Sequence, residues 1–293
     1  MNAAITVAEV VTPVFLLAAI GFAWVRLGFD YDIPFVTRLT MSLGVPCLIF
    51  VSLMETDIPP AALTTVSLAA LLAYGGITAI MLVVVLVFRL EIRTYLAPLI
   101  FGNTGNLGLP LALFAFGSEG LGYAVTIFAI MAIYSFTAGI WLVSGGGNPA
   151  RALREPLVWA TLAGALFLWR GWTTPTFLTN ALDLIGQLAI PLMLITLGVA
   201  VARLRPAGLA RPVGLSLFKA VACAGVAWGA GFALNLPPVA HAVLMVQMSA
   251  PVAVTNYLLA EKYGADSDAV AGLVVVSTIL SVAVLPLLLA FVI

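Results

Sequence analysis

The residues best able to do chemistry in this sequence are amides and hydroxyls set inside apolar runs. Residues 99–114 read LIFGNTGNLGLPLALF, where Asn103 and Asn106 lie among three glycines and ahead of Pro110. Residues 247–264 read QMSAPVAVTNYLLAEKYG and carry Gln247, Ser249, Pro251, Thr255 and Asn256. Glycine favours unwound backbone, and proline removes a helix donor and clashes with the preceding turn. Unwound backbone at membrane depth is tolerated only where protein or a water-filled cavity covers it. Its freed amides and carbonyls, helped by neutral asparagine side chains, can then hold a solute. Half-helix N-termini carry partial positive charge and free N–H groups, so a place where two of them meet suits an anion. For one such segment alone, close helix packing through small residues is an equal reading. Two, in corresponding positions of two halves, point to a transporter site.

The elements that must position these residues follow from composition. Only 24 of 293 residues are charged, 63% are hydrophobic, and the mean hydropathy is +1.19. A soluble domain carries about 25% charged residues. The shortage excludes a soluble globular protein, a disordered chain and a nucleic-acid binder, and the zero net charge argues against any polyanion partner. The chain reads as an all-α integral membrane protein embedded in a lipid bilayer, because its apolar runs are long and lack the alternation of barrel strands. Ten transmembrane segments are expected: 6–26, 33–54, 60–88, 94–116, 119–143, 155–170, 176–202, 208–234, 237–260 and 266–292. Cys47 and Cys223 fall inside apolar runs and read as buried thiols. Residues 1–25 hold no Lys or Arg, so the first run is expected to be a retained helix rather than a cleaved signal.

Ten of the twelve basic residues fall in the odd-numbered loops: Arg26, Arg38, Arg89, Arg93, Arg151, Arg154, Arg203, Arg205, Arg211 and Lys262. The positive-inside rule makes those loops cytoplasmic and both termini extracytoplasmic, as in a multi-pass protein of the plasma (inner) membrane. The glycine-rich stretch at residues 144–154 reads as a cytoplasmic linker between a first half, 1–143, and a second, 155–293. Five spans per half require the second to be inverted. Pro46 and Pro191, Pro110 and Pro251, and the turns FGSEG (116–120) and YGADS (263–267) recur at offsets of 145, 141 and 147. The expected architecture is therefore a 5+5 inverted repeat in which segments 4 and 9 are broken crossover helices.

Titratable groups inside the membrane are few. Lys219 lies eight residues past Arg211, roughly 12 Å along segment 8. It can snorkel or act on an anion, and both readings stay open. Gln247 and Glu261 are further candidates for an ion or charge role, with an inner-loop salt bridge the plainer role for Glu261. No carboxylate sits at the midplane, which disfavours proton coupling; a Na⁺ site built from carbonyls stays open. No metal cluster or other cofactor is expected, and the single histidine, His241, supports no metal site. Intramembrane proteolysis and metal-dependent prenyl transfer lack their acids and histidines, so an enzyme is not expected. A channel or receptor is the remaining rival. Phe114, Phe116, Tyr134 and Tyr257 read first as packing and second as cavity lining.

The motifs GNTGNLGLPLALFAFG and PVAVTNYLLAEKYGADSDAVAG, with LLAAIGFAWVRLG early and IPLMLITLGVAVARL in mid-chain, resemble the auxin efflux carrier family, bacterial members included, along essentially the whole chain. The bile-acid sodium symporters share the architecture this family has. The resemblance implies a scaffold part (segments 1, 2, 6, 7), a transport part (3–5 and 8–10) and an elevator-type exchange of access. It implies a small organic anion as substrate, held at the crossover, with Asn103 at its carboxylate and Pro110 and Pro251 as the crossover prolines. A homodimer through the scaffold helices is open. Asn256 stands where plant members have proline, and the plants' long central loop is reduced to about a dozen residues.

Overall fold

The computed structural model describes residues 3–145, 156–204 and 210–292. In chain order the helices are α1 (Ala3–Arg26), α2 (Ile33–Leu39), α3 (Val45–Met54), α4 (Pro60–Val87), α5 (Ile92–Ile100), α6 (Leu109–Tyr134) and α7 (Ile140–Ser144). They continue as α8 (Pro156–Arg170), α9 (Thr176–Gln187), α10 (Ala189–Arg203), α11 (Ala210–Ala233), α12 (Pro238–Met248), α13 (Val254–Tyr263) and α14 (Ser267–Val292). No strand occurs among the described residues. In lipid every backbone group must be satisfied within its own segment, and helices do this. Among the described residues, seven stretches are long and apolar enough to cross a membrane, and two shorter apolar helices, Pro156–Arg170 and Pro238–Met248, accompany them. The protein is thus an all-helical, multi-pass membrane protein.

Several expected segments contain interruptions that have local causes. The longest apolar stretch, Thr104–Ser144, is divided at Gly117, whose φ of 64° is open to glycine and rare for other residues. Gly264, 147 residues later, ends α13 with a φ of 69°. Single π-type turns at Thr40–Gly44, Thr104–Gly108 and Ser135–Gly139 join α2 to α3, lead into α6 and join α6 to α7. Such turns widen the backbone by one residue and gather at functional sites. Arg151, Arg154, Glu155, Arg205 and all but the first two residues of the expected linker lie outside the described residues.

Packing sorts the helices into two groups. In one, α1 packs on α10, α3 on α8 and α9, and α2 on α10. In the other, α4 packs on α5, α6 and α11, α12 on α6 and α11, and α14 on α11 and α13. The groups meet where α10 touches the turn before α6, and where α1 and α3 touch α6. The approach of α1 to α10 depends on glycine: a Cβ on Gly21 would fall 2.0 Å from the Ile195 carbonyl oxygen, and one on Gly198 would fall 1.7 Å from that of Ala18. Cys47 and Cys223 are buried free thiols, as composition implied.

Candidate functional site

Two helices stop in mid-course and their loose ends cross. After α5 the chain runs extended through Phe101–Asn103 before turning into α6; after α12 it runs through Ser249–Ala253 before α13 begins. Pro251, lacking an N–H, cannot continue α12. The two extended pieces pair antiparallel, with Gly102 bridging Val252. Asn103 N–H donates to the Pro251 carbonyl at 2.6 Å, and Ala253 N–H donates to that of Phe101 at 3.4 Å. Val252 N–H donates to Ser277 Oγ on α14 at 2.9 Å. A Cβ on Gly102 would sit 2.8 Å from the Ala250 carbonyl oxygen, so this crossing admits only glycine there.

The four helix ends created by the breaks are treated differently. The carbonyls that follow α5 and α12 carry the negative ends of two helix dipoles, and both are answered by side chains. Phe101 O accepts from Asn256 Nδ2 at 3.1 Å. Ala250 O accepts from the Lys219 ammonium at 2.9 Å. The positive ends are left toward a cavity. Asn103 Oδ1 accepts from Asn106 N–H at 3.2 Å and so caps the first. Its Nδ2 is buried without a partner. The second, the start of α13, has no side-chain cap.

The cavity on which these N-termini converge has a volume of about 80 Å³, and one water needs roughly 10–15 Å³. Asn103, Asn106, Val254 and Thr255 line its crossover side, and Thr37, Thr40 and Thr196 its far side. Phe128, Met131 and Met193 supply the apolar wall. Thr40 Oγ1 is a second buried group without a partner. At the mouth, Tyr31 O–H pairs with Thr196 Oγ1 at 2.7 Å, and Arg203 donates to the Tyr31 carbonyl at 2.7 Å. Burial pushes the Tyr31 hydroxyl above its usual range, partly offset by the Thr196 bond, so it stays neutral.

The candidates read from the sequence therefore divide. Asn103, Asn106 and Thr255 share the cavity. Ser249, Pro251 and Lys219 line a much smaller space, about 10 Å³, on the opposite side of the second break. Asn256 is engaged with the first break, and Gln247 Nε2 reaches the Ala124 carbonyl at 3.4 Å while its Oε1 lacks a partner. Pro110 is buried in the first turn of α6, where proline fits. Glu261 is exposed near the end of α13. Tyr134 packs its ring on Phe101 at 5.3 Å and its hydroxyl on Thr78, outside the cavity. Phe114, Phe116 and Tyr257 do not line it either; Phe128 does. Thr37, Thr40 and Thr196 had no distinguishing sequence signal beyond a hydroxyl in an apolar run. Asn256→Leu keeps the volume and removes the donor to Phe101, so we expect about 1–3 kcal/mol of destabilisation. A lowered midpoint of thermal unfolding in detergent checks it; an unchanged midpoint would mean that the long bond from Ala253 N–H satisfies the carbonyl by itself.

Helices broken in mid-span, crossing beside a small cavity within an apolar bundle, are the build of a membrane transporter. A family described as membrane transport protein matches residues 148–289. An uncharacterized transporter of Methanothermobacter thermautotrophicus is 28% identical over 297 residues, covering 95% of this chain and 96% of the relative. A putative malonate transporter of Rhizobium meliloti is 26% identical over 202 residues, 62% of each chain. An uncharacterized transporter of Methanocaldococcus jannaschii is 26% identical over 199 residues, 64% of each. Residues 148–289 thus carry a domain of this membrane transport family, in keeping with the resemblance to the auxin efflux carriers.

Proposed function

We propose that the protein is a secondary carrier for a small organic anion, held by its carboxylate at the crossover. One observation carries this reading. Both negative helix ends at the crossover are neutralised by Asn256 and Lys219, while both positive ends border the cavity, which is lined by Asn103, whose Nδ2 is buried without a partner. Such an arrangement favours negative charge without any acid or metal. The cavity volume suits an acid of a few carbons, and the relative named as a putative malonate transporter makes a short dicarboxylate the first candidate.

The mechanism that fits is an elevator in a 5+5 inverted repeat. Dividing the long apolar stretch at Gly117, joining α5 to its first part, and joining α2 to α3, α9 to α10 and α12 to α13 yields ten spans. Gly117 and Gly264, which occupy corresponding turns, share a positive φ. The packing groups coincide with a scaffold and a transport part. The cavity is lined by Thr37, beside Arg38, and by Ala200, near Arg203. With basic loops cytoplasmic, it opens inward and both termini lie outside.

Sodium coupling is the second reading, favoured by Gln247 Oε1 and Thr104 Oγ1, buried at the crossover without partners. The test is thermal stabilisation of purified protein by a panel of short organic acids, in sodium and in choline chloride, followed by uptake into vesicles. Malonate-sized acids are expected to raise the midpoint more than their amides, which bind more weakly. Uptake is expected to saturate and to show counterflow. Flux linear in concentration would replace the carrier by a channel, and stabilisation only in sodium would favour the symporter.

A further inference from the structure

Lys219 is 2% exposed on α11. Its ammonium donates to Ala250 O at 2.9 Å and lies 4.0 Å from Cys223 Sγ. Among the described residues no carboxylate pairs with it, and the small space beside it is lined by Ser216, Ser249, Ser277 and Ser281 rather than by an acid. It does not snorkel, because its head is held at the crossover. A buried charge without a counter-charge is costly, and an intramembrane charge is kept where something uses it. The C-terminal dipole of α12 offers about half a charge in compensation; the remainder has no partner among the described residues.

We propose that Lys219 is the fixed counter-charge of the substrate carboxylate, acting across the second break and setting the site's selectivity for anions. The proposal rests on the carrier reading above and deepens it. From Ala250, which the ammonium holds, to Ala253, which lines the cavity, the chain advances three residues, about 10 Å when extended. At that distance a unit charge in a protein interior changes the affinity for a singly charged ligand roughly tenfold. Lys219 touches no ligand. It positions the Ala250 carbonyl and supplies field, so its effect must scale with ligand charge, and a purely structural role would not.

The experiment uses the purified full chain in detergent with malonate and its neutral diamide, malonamide, as probes, and the variants Lys219→Gln, Lys219→Met and Lys219→Arg. Gln keeps an N–H donor for Ala250 and loses the charge. We expect Lys219→Gln and Lys219→Met to weaken malonate roughly tenfold or more while malonamide binding is unchanged, and Lys219→Arg to restore malonate binding at least in part. Malonate binding by Lys219→Gln at the wild-type level would overturn the counter-charge and leave the carrier reading standing. Equal weakening of malonate and malonamide would also overturn it, in favour of a packing role. If the wild-type protein binds neither malonate nor any acid of the panel, the carrier reading fails and this proposal with it.

Discussion

Asn103→Asp is expected to abolish organic-anion binding while leaving the fold intact. The two atoms of this amide have separable tasks. Oδ1 accepts the Asn106 N–H and starts the turn into α6; Nδ2 is buried, unpartnered and at the cavity. Aspartate retains the capping oxygen, and a carboxylate at a helix N-terminus is favourable by about 0.3–1 kcal/mol. It replaces the free donor with a second anionic oxygen. A bound carboxylate then loses a hydrogen bond and meets a like charge at contact distance, worth about 4 kcal/mol at an effective dielectric of 20. Affinity should fall by more than about 100-fold, with a smaller loss of unfolding midpoint than in a variant that also loses the cap. Asn103→Ala, which removes cap and donor together, should lose binding and stability both. Calorimetric titration with the best-stabilising acid, beside thermal unfolding of each variant, reads both quantities. An aspartate variant that binds like the wild type would remove Asn103 from the site.

Asn103 was legible in the sequence for a reason that does not extend to its neighbours. Glycine, proline and asparagine inside an apolar run announce a break whatever the fold around it, because their backbone effects are local. The side of the break on which each residue works is not local. Within the second break Ala253 lines the cavity while Ser249 and Pro251 border the space by Lys219; strict alternation would put all three on one face, but Ser249 is still helical in conformation and the break is not a regular strand. On α13, Thr255 lines the cavity and adjacent Asn256, about 100° further round the helix, reaches back to Phe101. One string of polar residues thus serves two jobs that spacing alone could not separate. The far wall escaped for another reason: Thr37, Thr40 and Thr196 are ordinary hydroxyls in apolar runs, and only the packing of α10 against the turn before α6, with α2 packed on α10, gives them a role. The helical segments were easier. Hydropathy reports burial in lipid directly, so the ranges expected for segments 1, 3, 6, 8 and 10 agree with α1, α4, α8, α11 and α14 to within a few residues. The π-type turns at Thr40–Gly44 and Ser135–Gly139 stayed hidden because they change one hydrogen-bond register without changing composition.

Gly198→Leu is expected to be the most destabilising single change in the scaffold, and Gly198→Ala to cost about 3 kcal/mol or more. Water drives apolar faces together in a soluble core, but lipid offers no such force, so transmembrane helices hold each other by close packing. α1 and α10 meet backbone to backbone. The Cβ that any residue would add at 198 falls 1.7 Å from Ala18 O and 2.9 Å from Phe22 N, and the one at 21 falls 2.0 Å from Ile195 O. These obstacles are main-chain atoms, which cannot rotate away as a side chain can, so the two helices must separate along their contact. Since α10 carries Met193, Thr196 and Ala200 into the cavity, the same separation should weaken acid binding. Gly21→Ala together with Gly198→Ala should cost less than the sum of the two, because one displacement relieves both clashes. Gly225→Ala is the control: it lies inside α11 with open space where its Cβ would be, and alanine there should be neutral or stabilising by about 0.5–1 kcal/mol. Thermal midpoints and the monodisperse fraction on size exclusion measure all four variants. Equal midpoints for Gly198→Ala and Gly225→Ala would mean that the α1–α10 contact is not the fastening of the scaffold.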